Sequence, residues 1–277
     1  MKCYDCPRAC GADRDGGDVG MCGGGKRARI AKIIKPFDYE EPCLGTVTAV
    51  FFGGCSLGCS YCQNHKISRG ACGTEYSDAE LAEVFDNAGF FVDLVTPSHY
   101  ISAIERAVAL CKRKNSFIYN TSGYETPTAI KRAGAFSDVF LTDYKYADGA
   151  LAQRFSRAPD YPETAVKAID EMRKTADEWV VTNGEKLLKR GLIVRHLVLP
   201  DCVDNSIAVL DDIARRWGTD TVLSLMSQFT PNGVGEPNAR LRKIEYKLVA
   251  EHAVKLGFKT GYFQEFASAS SAYTPEF

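Results

Sequence analysis

The chain of 277 residues contains 11 cysteines, and seven of them fall into two clusters near its start. The second cluster is the compact triple Cys55, Cys59 and Cys62, with the spacing C-x3-C-x2-C. Three closely spaced thiolates can bind one [4Fe–4S] cluster, and they leave one of its irons without a protein ligand. Because a substrate can bind at an open metal position, the spacing predicts a catalytic iron–sulfur centre.

A structural zinc site is the alternative for this triple. Zinc in such a site normally takes four ligands, and His65 would supply the fourth. The glycines Gly53, Gly54 and Gly58 allow a tight turn and direct backbone N–H groups toward cluster sulfurs, so they favour the iron–sulfur interpretation.

The first cluster consists of Cys3, Cys6, Cys10 and Cys22. Four thiolates allow a closed site, and the intervening residues are rich in Gly, Asp and Arg, so a metal would have to organise this segment. Zinc would be structural. A second [4Fe–4S] cluster would be an electron relay or would face the substrate. Both alternatives stay open at this point, together with the absence of any metal.

Composition excludes several classes of protein. Lys and Arg total 34, Asp and Glu total 35, and the formal net charge is −1. This balance argues against a nucleic-acid-binding or polybasic membrane-binding protein. No apolar run approaches the roughly 18 residues needed to span a bilayer, and the start lacks the apolar segment of a signal peptide. We therefore expect a cytoplasmic protein whose clustered cysteines are reduced and bind metal.

Apolar and β-branched segments alternate with segments of helical periodicity from residue 44 onward. Strands are predicted at 44–52, 90–95, 117–119, 139–141, 192–199, 221–225 and 259–263. Helices are predicted at 77–89, 101–114, 126–134, 162–179, 206–217 and 240–256. The alternation predicts right-handed βαβ units with a parallel sheet, and about six units predict an α/β fold with a partial (β/α)6 TIM-like barrel. The barrel domain would cover residues 44–277, after an N-terminal Cys-rich metal-binding lobe at residues 1–43.

The triple, with the aromatic Tyr61 directly before its third cysteine, resembles the signature of the radical SAM superfamily. The following Gln63-Asn64 is similar to the pyruvate formate-lyase-activating-enzyme-like branch. Further segments resemble this branch in order along nearly the whole chain, namely 94–100, 119–124, 143–146, 195–200 and 226–231. The resemblance implies a partial (β/α)6 barrel, a [4Fe–4S] cluster on the triple, and S-adenosylmethionine (SAM) bound to the open iron through its amino and carboxylate groups.

The same resemblance implies a SAM-binding role for polar residues at the carboxyl ends of strands, where such folds place their functional groups. Thr96 lies where the branch holds the methionine amino group, although the Gly-Gly-Glu of many activating enzymes is missing here. Asp143 and Lys145 resemble the Asp-x-Lys motif of these enzymes. Lys145 would neutralise the SAM carboxylate, and Asp143 would orient Lys145 or the ribose.

Four further residues complete the expected cofactor site. Asn120 and Ser122 carry short polar side chains suited to ribose hydroxyls or the carboxylate. Arg195 lies within an apolar strand, where a charge is costly unless it is paired. Gln228 would contact adenine or substrate. His196 points to the opposite face of the strand from Arg195 and is expected to be a core histidine.

The expected function is that of a radical SAM oxidoreductase that reductively cleaves SAM to a 5′-deoxyadenosyl radical for hydrogen abstraction. Activation of a glycyl-radical enzyme is the expectation from the branch, and modification of a peptide or small molecule is the alternative. Two other classes remain, a non-catalytic iron–sulfur electron carrier and a zinc-stabilised binding module. The expected partners are an electron donor such as flavodoxin or ferredoxin and a protein or peptide substrate, with no nucleic acid and no membrane.

Overall fold

The strands and helices follow the alternation expected from the sequence. The structure is a computed structural model that describes residues 2–70, 72–89, 91–175, 177–182 and 184–266. The strands are β1 (Ala28–Asp38), β2 (Thr46–Phe52), β3 (Thr74–Tyr76), β4 (Phe91–Val95), β5 (Ser116–Thr121), β6 (Val139–Asp143), β7 (Glu178–Thr182), β8 (Glu185–Leu197), β9 (Val222–Met226) and β10 (Gly261–Phe263). The helices are α1 (His65–Ser68), α2 (Asp78–Ala88), α3 (Ile101–Leu110), α4 (Pro127–Ala133), α5 (Gly149–Ser156), α6 (Tyr161–Met172), α7 (Val203–Trp217) and α8 (Lys243–Leu256).

Seven parallel strands form the centre of the sheet. Their order is β2-β4-β5-β6-β8-β9-β10, which is also their order along the chain. All carboxyl ends of these strands therefore lie at one edge of the sheet. The predicted α/β architecture with a large parallel sheet is confirmed, while curvature into a partial (β/α)6 barrel stays a prediction.

Two helix starts form as the sequence predicts. Ser77 caps α2 by accepting a hydrogen bond from the Glu80 amide at 3.3 Å, and Glu80 accepts one in return from the Ser77 amide at 2.7 Å. Thr126 caps α4 and is followed by Pro127, whose missing N–H is not needed in the first turn. The two caps thus fix the residues at which α2 begins after β3 and α4 begins after β5.

The predicted helix at 162–179 is wrong in its second half. Helix α6 ends at Met172, and β7 pairs antiparallel with the first part of β8. The sequence carries a signal for this pairing, because the dipeptide Asn-Gly at positions 183 and 184 is typical of sequences that form two-residue hairpins. The short helix α5 was also not predicted. Its Asp148 cap accepts hydrogen bonds from the amides of Ala150 and Leu151.

Strand β1 joins the sheet although residues 28–38 fall within the predicted N-terminal lobe. It pairs antiparallel with β2 on one side and with β3 on the other. The division of the chain at residue 43 stays a prediction. Phe90, the predicted first residue of the second strand, lies outside the described residues.

Helices α2 and α3 cover one part of the sheet. Leu81 and Phe85 of α2 pack with Ile104 of α3 against Val92 and Phe117 of the sheet. Each of these side chains is nearly or fully buried, and such burial contributes about 1.5–3 kcal/mol per large apolar side chain. This packing fixes β4 and β5, which end in Val95 and Thr121 at the carboxyl edge of the sheet. Among the described helices the longest has 15 residues, and none is long and apolar enough to cross a membrane.

Candidate functional site

A cleft of about 200 Å³ lies at the carboxyl edge of the parallel strands. All eleven residues that the sequence assigned to the catalytic and SAM site line this cleft. They are Cys55, Cys59, Tyr61, Cys62, Thr96, Asn120, Ser122, Asp143, Lys145, Arg195 and Gln228. The structure therefore brings the predicted residues together, and their chemical roles remain predictions.

The three cysteines lie on the loop that joins β2 to α1. Gly54 and Gly58 take left-handed φ angles of 92° and 68°, which glycine adopts without steric cost. A side chain at Gly53 would place its Cβ 1.9 Å from the carbonyl oxygen of Cys72. Position 53 therefore requires glycine, because the backbone around Cys72 leaves no room for a side chain.

Burial favours the neutral thiol at two positions of this loop, Cys55 and Cys62. Burial raises the pKa of Cys55 to about 12, and a charge on Cys59 would raise it further. Burial, followed by Cys59, also raises the pKa of Cys62. Only a cation among the sulfurs would keep three thiolates ionised together, and soft thiolate ligands suit iron–sulfur clusters or zinc. The donor set thus fits the predicted metal centre.

Hydrogen-bond donors reach the sulfurs of Cys55 and Cys59. The Leu57 amide donates to Cys55 Sγ at 3.4 Å, and the Ser156 hydroxyl donates to Cys59 Sγ at 3.1 Å. His65, the alternative zinc ligand, places its Nδ1 3.3 Å from the Cys62 carbonyl oxygen and does not line the cleft. This arrangement favours the three-cysteine interpretation over a zinc site completed by His65.

Tyr61 anchors the loop from within. Its hydroxyl accepts a hydrogen bond from the Tyr146 hydroxyl at 2.8 Å. Its ring contacts Phe155 and Phe229 edge to face. The hydroxyl of Tyr61 is thus engaged in the interior, and the ring is the part of this side chain that offers a surface to the cleft.

Opposite charges meet at the ends of β6 and β8. Asp143 Oδ2 lies 2.5 Å from Lys145 Nζ, and Asp143 Oδ1 lies 3.2 Å from Arg195 Nε. Burial alone would raise the pKa of Asp143, but Lys145 and Arg195 hold it below its usual value. Two cations therefore share Asp143, and Glu40, which also lines the cleft, acts on Arg195 as well. Lys145 and Arg195 are the cationic groups that a ligand carboxylate could meet in the cleft.

Asn120 connects these charges to a second buried carboxyl group. Its Oδ1 accepts from Arg195 Nη2 at 2.8 Å, and its Nδ2 donates to the Tyr39 hydroxyl at 3.0 Å and to Asp93 Oδ2 at 3.4 Å. Tyr39 also donates a short hydrogen bond to Asp93. Burial raises the pKa of Asp93 to about 7, although Tyr39, Asn120 and Arg195 oppose the shift.

Sequence reasoning missed Asp93, Tyr39 and Glu41. Asp93 had a signal, because it interrupts the apolar run of β4 as Arg195 interrupts that of β8. Tyr39 and Glu41 follow β1 and had none. Glu41 is fully buried, and neither of its carboxyl oxygens has a hydrogen-bond partner among the described residues. Burial raises its pKa to about 7, with Arg195 opposing the shift.

Thr96 has an unusual backbone. Its φ of 59° lies in the left-handed region, which costs a non-glycine residue roughly 1–2 kcal/mol and recurs at active sites and ligand clamps. Its amide donates to the Asn120 carbonyl oxygen at 2.9 Å. The strained turn therefore begins directly at the carboxyl end of β4.

The remaining predicted positions differ in how they use their polar atoms. Gln228 Oε1 accepts from Gln264 Nε2 at 3.2 Å. The Ser122 carbonyl accepts from the Tyr161 hydroxyl at 2.8 Å. His196 is buried, with its ring nitrogens 2.8 Å from the Tyr144 carbonyl oxygen and 2.9 Å from the Ser206 hydroxyl. The expected core role of His196 is thereby confirmed.

The four N-terminal cysteines line a second and much smaller cavity, of about 10 Å³. Arg8, Arg14, Ser56 and His99 also line it. Space of this size holds about one water molecule. No three His, Cys, Asp or Glu side chains within the described ranges are already placed around a point where a metal ion would be bound. The four thiols are thus gathered at one cavity, and metal binding would require them to rotate toward a common centre.

Comparison with known proteins gives distant likenesses. No family model matches the chain. A protein of Methanocaldococcus jannaschii, described only as uncharacterized, is 22% identical over 248 residues, which cover 83% of this chain and 66% of that protein. The structure of methylornithine synthase (PylB) shares a TM-score of 0.46 and 13% identity with this chain, over 72% of this chain and 59% of the synthase. The chain thus spans less than two thirds of the length of either protein.

Proposed function

We propose that this chain is a radical SAM enzyme of the pyruvate formate-lyase-activating-enzyme-like branch, built on a partial (β/α)6 barrel. The observation that carries the proposal is the convergence of two features on one cleft. An open set of three cysteines lies on the loop after β2, and the group formed by Asp143, Lys145 and Arg195 lines the same cleft. A structural metal site has no need of the second feature.

Different residues of the cleft would bind the two cofactors. Cys55, Cys59 and Cys62 would hold a [4Fe–4S] cluster with one open iron. Lys145 and Arg195 would bind the carboxylate of SAM. When bound, the cluster and SAM supply a 5′-deoxyadenosyl radical, which abstracts hydrogen from a substrate.

Four further polar positions would complete the binding of SAM. Thr96 and the carbonyls of its left-handed turn suit the amino group. Asn120 is held between Arg195 and Tyr39, so one face of its amide is fixed next to the carboxylate site. Ser122 suits the ribose hydroxyls, and Gln228 suits adenine or substrate.

The protein also has to limit access of water to the site. Tyr61, Tyr146 and Phe155 form a buried aromatic group beneath the cysteine loop. A low local dielectric strengthens the interactions of Asp143 with its two cations. Both effects support a reaction in which reactive species must not meet solvent.

Activation of a glycyl-radical protein is the reaction that the sequence resemblance favours, and modification of a peptide or small molecule is the alternative within the same class. Either reaction needs a one-electron donor such as flavodoxin or ferredoxin, and such donors are cytoplasmic proteins. A non-catalytic electron carrier with two clusters would leave Lys145, Arg195 and the strained Thr96 without a role.

Anaerobic reconstitution with iron and sulfide tests the proposal. The reduced protein should convert SAM to methionine and 5′-deoxyadenosine, measured by chromatography. Cys59→Ala should abolish the product, and Cys111→Ala, outside the cleft, should leave it unchanged. Product formed at the wild-type rate by Cys59→Ala, or none from cluster-loaded wild type, would contradict the assignment.

A further inference from the structure

We propose that Cys3, Cys6, Cys10 and Cys22 form a second, thiolate-only metal site whose loading positions the cysteine loop at residues 55–62. Metal binding by these four residues does not depend on the function proposed above. The positioning of the loop rests on it, because it concerns the cluster on Cys55, Cys59 and Cys62.

The N-terminal segment has little else to hold it together. Residues 2–27 contain an isolated bridge between Lys2 and Asp13, and no helix or strand occurs in this fully described stretch. Its buried apolar side chains are Ala12 and Cys22. A segment that buries so little apolar surface needs a cross-link or a metal to be ordered. Its four thiols line one cavity, which is where such a centre would bind.

Donors from the segment itself reach one of the sulfurs. The Gly24 amide donates to Cys22 Sγ at 3.4 Å, and Arg14 Nη2 donates to the same sulfur at 3.5 Å. N–H groups and a guanidinium stabilise a thiolate. Four thiolates suit either tetrahedral zinc or a [4Fe–4S] cluster, so the shared chemistry is that of a thiophilic metal centre.

The cysteine loop is bonded directly to this segment. The Cys55 amide donates to the Cys22 carbonyl oxygen at 2.9 Å. A Cβ on Gly54 would lie 2.2 Å from that same oxygen. The backbone of Cys22 thus packs against the loop with no room for a side chain, and any shift of Cys22 moves the amide of Cys55.

Arg8 makes the second connection, from a position between Cys6 and Cys10. Its Nε donates to the Ser56 carbonyl oxygen at 3.1 Å, inside the cysteine loop. Its Nη2 donates to the Ser156 carbonyl oxygen at 2.9 Å. Ser156 in turn donates its hydroxyl to Cys59 Sγ.

Arg8 is therefore a positioning residue. Its guanidinium joins the carbonyl groups of two segments, the cysteine loop and the end of α5, at fixed angles that a lysine cannot reproduce. Its own location depends on the cysteines that flank it. A metal bound by those cysteines would fix Arg8, and Arg8 would fix the cysteine loop and the end of α5, which both contact the cluster site on Cys55, Cys59 and Cys62.

Metal analysis of three full-length variants tests the site. Cys55, Cys59 and Cys62 are replaced together by Ser in the first, Cys6 and Cys10 are replaced by Ser in the second, and Cys111→Ser is the control. Zinc, iron and sulfide per chain are counted after anaerobic loading, with circular dichroism to confirm folding. The first variant should keep about one zinc or about four irons, which identifies the metal. The second should lose that metal, and the control should match wild type.

The results separate this proposal from the proposed function. A folded first variant that binds no metal, or a second variant with the wild-type metal content, would overturn the second site. Wild type that keeps the N-terminal metal but does not cleave SAM would contradict only the proposed function.

Arg8→Lys tests the positioning of the loop. With both sites loaded, it should keep its metal content, change the electron paramagnetic resonance spectrum of the reduced cluster on Cys55, Cys59 and Cys62, and cleave SAM at least about 5-fold more slowly. Arg113→Lys, at a surface site beside Asp86, is the matched control and should match wild type in all three measurements. An unchanged spectrum and rate in Arg8→Lys would overturn the positioning role.

Discussion

The hydroxyl of Ser156 donates a hydrogen bond to Cys59 Sγ at 3.1 Å, although the two residues are 97 positions apart in the chain. Ser156 is the last residue of α5 and is fully buried. The helix end thus supplies a polar hydrogen to a buried sulfur.

Removal of this donor should lower the reduction potential of the cluster on the triple, because hydrogen bonds to cluster sulfurs stabilise the reduced, more negative state. We expect Ser156→Ala to bind the same amount of iron but to need a more strongly reducing solution. A redox titration followed by electron paramagnetic resonance measures the shift. Ser116→Ala, outside the cleft, is the control, and equal midpoints for the two variants would contradict the expectation.

Lys145→Gln should weaken SAM binding, since it removes one of the two cations around Asp143. A hydrogen bond to a charged group contributes about 1.5–3 kcal/mol, which corresponds to roughly a 10- to 100-fold rise in Kd. Isothermal titration of the reconstituted protein with SAM measures it. Lys189→Gln removes an exposed lysine that pairs with Glu178 and should bind SAM as wild type does. A wild-type Kd in Lys145→Gln would exclude the carboxylate role.

Asp93→Asn should change how stability depends on pH. Because the pKa of Asp93 is about 7 in the folded chain and about 3.9 when unfolded, the folded chain binds the extra proton between these values. The stabilisation of the folded chain by this proton is complete below about pH 4 and is lost as the pH rises through 7.

Urea unfolding of wild type and Asp93→Asn at pH 5 and pH 8 measures this dependence. Asparagine keeps the shape of the side chain facing Tyr39 and Asn120 but cannot ionise. From pH 5 to pH 8 the free energy of unfolding of wild type should therefore fall by roughly 1–3 kcal/mol relative to that of the variant. A difference between the proteins that does not vary with pH would show that Asp93 does not titrate in this range.

Gly54→Ala and Gly58→Ala form a matched pair within one loop. Both glycines have left-handed φ angles, so each alanine should cost roughly 1–2 kcal/mol of strain. A Cβ at Gly58 has no atom within 4 Å among the described residues, whereas one at Gly54 meets the Cys22 carbonyl oxygen. Only Gly54→Ala should detach the N-terminal segment, seen as faster proteolysis within residues 2–27. Equal proteolysis rates would mean that the contact does not hold the segment.

The parts of the site that the sequence predicted are those with a local signal. Asp143 and Lys145 are two positions apart at the end of an apolar strand, and Arg195 interrupts another, so periodicity alone places them at the sheet edge. Asp93 had the same signal as Arg195 and was overlooked. These residues could be read from the sequence because the strand pattern determines which way they point.

Other parts depend on contacts that periodicity does not encode. Glu41 lies near Arg195 because β1 pairs antiparallel with β2 and returns the chain beneath the cleft. The contacts of Arg8 depend on tertiary packing in the same way. Strand β7 did have a local signal, because the sequence Asn-Gly at positions 183 and 184 favours a hairpin between β7 and β8. The prediction missed it by extending the helical periodicity of residues 162–172 across β7.

The contact of Arg8 with the end of α5 has a consequence for how the protein matures. Arg8 Nη1 lies 2.5 Å from the Arg157 carbonyl oxygen, 149 positions further along the chain. During synthesis the cysteine loop leaves the ribosome long before this partner exists. The loop can make its contacts with the end of α5 only after that helix has been synthesised, so we expect the three thiols to be most accessible to a metal in the interval before the helix docks.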